Sequence, residues 1–77
     1  MNALKISKLP ILENQKLIMQ SIVKRTENNQ TDICASDIST DTGIHYNNIR
    51  RYLKSLLDQK YVTIQESENG VIFFFLA

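Results

Sequence analysis

Residues 36–57, SDISTDTGIHYNNIRRYLKSLL, leave the chain few choices. They have the form of two short helices joined by a tight turn. Ser36 is placed to cap the first, Ile38 is its inward anchor, and Asp41, Thr42 and Gly43 close it. A sharp turn needs a positive φ, and glycine reaches it without a Cβ clash. Ile44 then tucks under the turn, and a longer helix begins near His45. Within it Ile49, Leu53, Leu56 and Leu57 recur at three- and four-residue steps and share one face. Tyr46, Asn47, Arg50, Arg51 and Lys54 take the other, and these groups hydrogen-bond to bases or pair with phosphates.

Seventy-seven residues make one small domain, in which a single core is marginal and every apolar segment is needed. With 43% hydrophobic and 22% charged residues, the composition is that of a folded chain rather than a disordered one. Formal net charge is only +1, yet its distribution is uneven. Residues 45–57 hold three cations and no carboxylate, whereas residues 61–77 hold Glu66 and Glu68 and no cation. A local basic face on a near-neutral chain suits a specific site better than indiscriminate binding. Cys34 is the sole cysteine, which excludes an intramolecular disulfide and a thiolate metal cluster. A small buried apolar role is the simple expectation for it, against a redox switch. A lone thiol without a signal peptide points to a cytoplasmic setting, and no apolar run nears the ~20 residues that span a bilayer. The abundant Asn, Ile and Lys, with their A/T-rich codons, hint at a low-GC bacterium or a mobile element of one.

Along the chain, residues 1–12 are an N-terminal arm with apolar Leu4, Ile6, Leu9, Ile11 and Leu12, interrupted by Pro10. This arm packs either on the body or on a second subunit. A first long helix is expected from Glu13 to about Asn28, with Leu17, Ile18, Ile22 and Val23 inward and Met19 at the edge. Lys16, Gln20, Lys24, Arg25 and Glu27 then point outward. Asn28, Asn29 and Gln30 form a loop, and Ile33 with Cys34 forms a brief strand. After the helical pair of residues 36–60, residues 61–76 read as strand, turn and strand, with Asn69-Gly70 as the hairpin signal.

A helix-turn-helix followed directly by a β-hairpin resembles the winged-helix family of DNA-binding domains, over residues 13–76. The resemblance implies an α+β fold of three helices with a C-terminal hairpin wing. It also implies that helix 45–60 enters the major groove of double-stranded DNA. His45, Tyr46, Asn47 and Asn48 would then form its leading tip. Arg51 is the candidate for a base edge, with Arg50 and Lys54 on phosphates. Tyr52 flanks the core or bonds a phosphate, with the core edge favoured. The wing departs from the family pattern, because Glu66, Ser67, Glu68, Asn69 and Gly70 bring no cation to its tip.

In the last strand Ile72, Phe74 and Leu76 alternate with Val71, Phe73 and Phe75, so both faces are apolar. A homodimer through the N-terminal arm, the C-terminal strand or both is therefore expected. No enzyme, metal, cofactor, membrane or small-molecule substrate is expected: no nucleophile motif accompanies Asp41 and His45, and two glycines build no phosphate loop. The expected role is sequence-preferring duplex binding in transcriptional regulation. Two rivals remain: a replication or partition accessory protein of a mobile element that handles single strands, and a protein-interaction adaptor.

Overall fold

The first long helix decides where the core lies. In the computed structural model, which describes residues 3–77, it is α2 (Glu13–Glu27), preceded by a single-turn α1 (Ala3–Ile6). Then come α3 (Ala35–Thr42), α4 (Tyr46–Asp58) and an antiparallel pair, β1 (Val62–Glu66) and β2 (Ile72–Leu76). This is the expected α+β layout, three main helices and a C-terminal hairpin, with one short helix added in front.

The buried stripe of α2 is rotated from expectation. Gln15, Ile18, Met19, Ile22 and Val23 face inward, and Met19 is wholly buried instead of lying at the edge. Leu17, expected inward, is 40% exposed. At about 100° per residue it falls nearly opposite the stripe centre. Gln15 is buried with this stripe. Its side-chain Oε1 accepts the Leu12 backbone N–H at 3.0 Å, closing the helix start from inside the core edge. Part of the N-terminal segment packs on its own body, with Ile6 wholly buried and Leu9 and Ile11 beside the core, while Leu12 stays 61% exposed and the side chain of Leu4 lies outside the described residues.

α3 starts earlier than its sequence suggested. Its N-cap is Cys34, not Ser36, and the Asp37 carboxylate reaches back to the Cys34 N–H at 3.3 Å. Residues 31–34 form no strand. Only one bond links them to the hairpin, from the Phe74 N–H to the Ile33 carbonyl at 2.8 Å.

The turn after α3 is as expected. Gly43 sits at φ 73°, and its N–H bonds the Ser39 carbonyl at 2.9 Å. Ser39 Oγ donates to the Ile44 carbonyl at 2.6 Å, which fixes the chain's exit. A Cβ on Gly43 would meet nothing within 4 Å, so only backbone strain opposes a side chain there. Gly43→Ala should therefore cost about 1–2 kcal/mol, read as a lower urea midpoint at unchanged slope.

α2 and α3 are joined by a polar knot that sequence spacing did not reveal. Arg25, expected to point outward, grips Asp41 with two nitrogens at 2.7 and 2.8 Å. Ser21 Oγ, on a buried residue, donates to the same carboxylate at 2.6 Å, and Arg25 also donates to Gln30 Oε1 at 3.0 Å. The Arg25 guanidinium, foremost by hydrogen bonding, holds the Asp41 carboxyl below its ordinary range. A depressed carboxyl stabilises the fold above the unfolded value, ~3.9, and that stability is lost as pH falls through the folded value. Asp41→Asn should cost about 1 kcal/mol at pH 7. The difference from wild type should vanish on acidification below the usual carboxylate range, as checked by urea unfolding at a series of pH values.

The hairpin pairs Val62 with Leu76 through Glu66 with Ile72. Its connection falls where residues 66–70 were expected to turn, with Gly70 closing it. The Gly70 N–H bonds the Ser67 carbonyl at 3.0 Å, the Ser67 N–H bonds the Val71 carbonyl at 2.8 Å, and Gly70 has φ 82°. That is a type I turn closed by a glycine bulge. Val62 and Phe74 are buried beneath the sheet, and Ile72 and Leu76 pack at the core margin.

Candidate nucleic-acid interface

α4 turns its apolar stripe inward because Ile49, Leu53 and Leu56 lie on one side of its wheel, and all three are buried. The same periodicity carries Asn47, Arg51 and Lys54 to the opposite side and places Tyr46 and Arg50 on the flank toward the hairpin. Asn48 occupies the other flank. All seven candidate residues, His45, Tyr46, Asn47, Asn48, Arg50, Arg51 and Lys54, are exposed.

His45 caps the helix, its Nδ1 accepting the Asn47 N–H at 3.2 Å. The Tyr46 ring is 45% exposed, and the Arg50 guanidinium carbon lies 6.0 Å from its centroid. Such a cation–π pair holds the arginine near the ring without neutralising it. Among the described residues, ion pairs involve Lys16 and Arg25 but none of Arg50, Arg51 and Lys54. Asp58 closes the same outward face one turn beyond Lys54. The positive surface is thus weighted to the N-terminal half of α4.

Tyr52 lies at the core edge, and its hydroxyl accepts from Asn14 Nδ2 at 3.2 Å. At the hairpin tip Ser67 Oγ is engaged by the Val71 N–H at 3.1 Å. Glu66, Glu68 and Asn69 are exposed there.

One feature had no counterpart in the sequence. Between α4 and the hairpin runs an open groove of about 500 Å³, with Leu53, Leu57, Ile72 and Phe74 along its floor. Tyr46, Arg50 and Lys54 form one wall, and Ile64 and Val71 the other. Ile64 and Val71 remain 48% and 45% exposed, although Ile64 is on the strand face that points inward. Cys34 lines this groove half-exposed, 3.1 Å from Ser36 Oγ, and is not the buried apolar residue expected. A strand residue facing inward gives no sequence signal that the hairpin overhangs the body at that point.

Among the described residues no group of three or more His, Cys, Asp or Glu side chains could hold a metal. None of their helices is long and apolar enough to cross a membrane. No protein-family model matches the chain, and no curated protein matches it.

Proposed function

We propose that the protein binds double-stranded DNA with sequence preference, as a transcriptional regulator that lays α4 in the major groove. The observation carrying this reading is the set of exposed cations, Arg50, Arg51 and Lys54, with no ion-pair partner among the described residues. Leaving three cations unpaired on one helix face suits a polyanionic partner. The 13-residue helix is ~20 Å long, and the major groove admits an α-helix. Asn47 and Asn48 at its leading end suit adenine edges, and Arg51 suits guanine. The hairpin tip, bearing two carboxylates, stays clear of phosphates. This arrangement supports a winged-helix mode of binding in which α4, and not the hairpin tip, meets the DNA.

A second reading, a single-strand-handling accessory protein of a mobile element, draws support from the exposed Tyr46 ring beside Arg50. Bases stack on such platforms. Fluorescence anisotropy with randomised duplex and single-stranded oligonucleotides distinguishes the two. Duplex should bind more tightly, with a log–log salt slope of about −3 per bound copy, reflecting the three cations of α4. Preference for the single strand favours the accessory role. No binding to either leaves a protein-interaction adaptor.

A further inference from the structure

We infer that the groove beside α4 is a self-association surface, closed over by the hairpin of a second copy of the chain. This inference goes beyond the nucleic-acid reading and does not rest on it. Its basis is the segregation of charge across the groove. The helix wall carries Arg50 and Lys54, exposed and without ion pairs among the described residues. The hairpin tip beyond the opposite wall bears Glu66 and Glu68, which do not line the groove but are exposed and without ion pairs among the described residues. Glu66 pairs with Ile72, which lines the groove, and shares a strand face with Ile64, so its carboxylate belongs to the groove side of the hairpin. The two sets of charge do not satisfy one another within one molecule.

A second copy can satisfy both. A two-fold axis along the groove places each hairpin wall over the partner's helix wall, acids over cations and Ile64 and Val71 over Tyr46. An axis across the groove instead sets cation on cation, which charge repulsion disfavours. Isologous pairing of this kind requires a self-complementary patch, and this one is complementary in both charge and hydrophobicity. A standard interface covers about 800 Å² per partner, a modest share of the chain's 5084 Å². The surfaces first expected to dimerise are less suited. Of the N-terminal segment Ile6, Leu9 and Ile11 pack on its own core and leave Leu12 exposed, and Phe73 and Phe75 are half-buried on the outer sheet face. Pairing across the groove covers Tyr46, Arg50 and Lys54, so a second copy and a DNA duplex would compete for one surface.

Sedimentation equilibrium of the full chain without nucleic acid, from about 5 µM to 1 mM protein, tests this. At low salt the wild type should reach a dimer, and raising salt from 50 to 500 mM should weaken association about tenfold. Arg50→Glu/Lys54→Glu and Glu66→Lys/Glu68→Lys should each be monomeric across that range, and the variant carrying all four changes should dimerise again. Far-UV circular dichroism checks that each variant is folded. If a variant unfolds, the wild-type salt series decides. A monomer at all concentrations overturns the inference. So does a dimer insensitive to salt and to both reversals, or a folded fourfold variant that stays monomeric.

Discussion

Replacing Arg50, Arg51 and Lys54 together with glutamate is expected to reduce duplex affinity about a thousandfold or more, to below detection in a low-salt anisotropy titration. Each phosphate or base contact of such a residue is worth about 1–3 kcal/mol, and reversal adds repulsion to the loss. Stability should hardly change. All three side chains are exposed and without ion pairs among the described residues, and surface substitutions of this kind stay within about 0.5 kcal/mol. The single change Arg51→Ala separates reading from attraction. Its cost of about 1–3 kcal/mol should fall on the preferred site and relax discrimination at one base pair. A uniform loss across sequences would move Arg51 to the phosphate backbone.

The second large effect belongs to the core. Leu56→Ala removes a wholly buried side chain from the stripe by which α4 is held to the body. The lost transfer energy and residual cavity together cost about 2.7–5 kcal/mol. A core of this size rarely supplies more than about 3–5 kcal/mol, so the variant should be largely unfolded near room temperature. Leu17→Ala is the instructive control. Leu17 lies off the buried stripe of α2, and its truncation should cost under about 1 kcal/mol. Comparable unfolding by both substitutions would mean that α2 is turned as its sequence first suggested.

That contrast marks where sequence reasoning was sufficient. The three main helices, the Gly43 turn and the hairpin follow from local chemistry: apolar period, a glycine at positive φ, β-rich runs about a turn. The rotation of α2 did not, because Leu17, Ile18 and Met19 are contiguous and apolar, so the stripe can be drawn two ways. Gln15, its amide bonding Leu12, is buried with the stripe that faces inward. The cap of α3 was misplaced for a similar reason. Ser36 is the better intrinsic cap, but Asp37 bonding the Cys34 N–H selects an earlier start.

The outward face of α4 was legible from its period alone. The groove beside it was not, since its walls come from segments far apart in the chain. The Arg25–Asp41 knot was hidden likewise, its partners lying 16 residues apart on different helices.

Duplex recognition as proposed requires α4 to meet DNA through its outward face. Amide ¹H–¹⁵N spectra of the labelled protein, titrated with a duplex that it selects from a random pool, test this most directly. The largest shifts should fall on residues 45–54, with α2 and the outer face of the hairpin nearly still. Shifts concentrated on α2 or on Phe73 and Phe75, with Tyr46 through Lys54 unmoved, would contradict it.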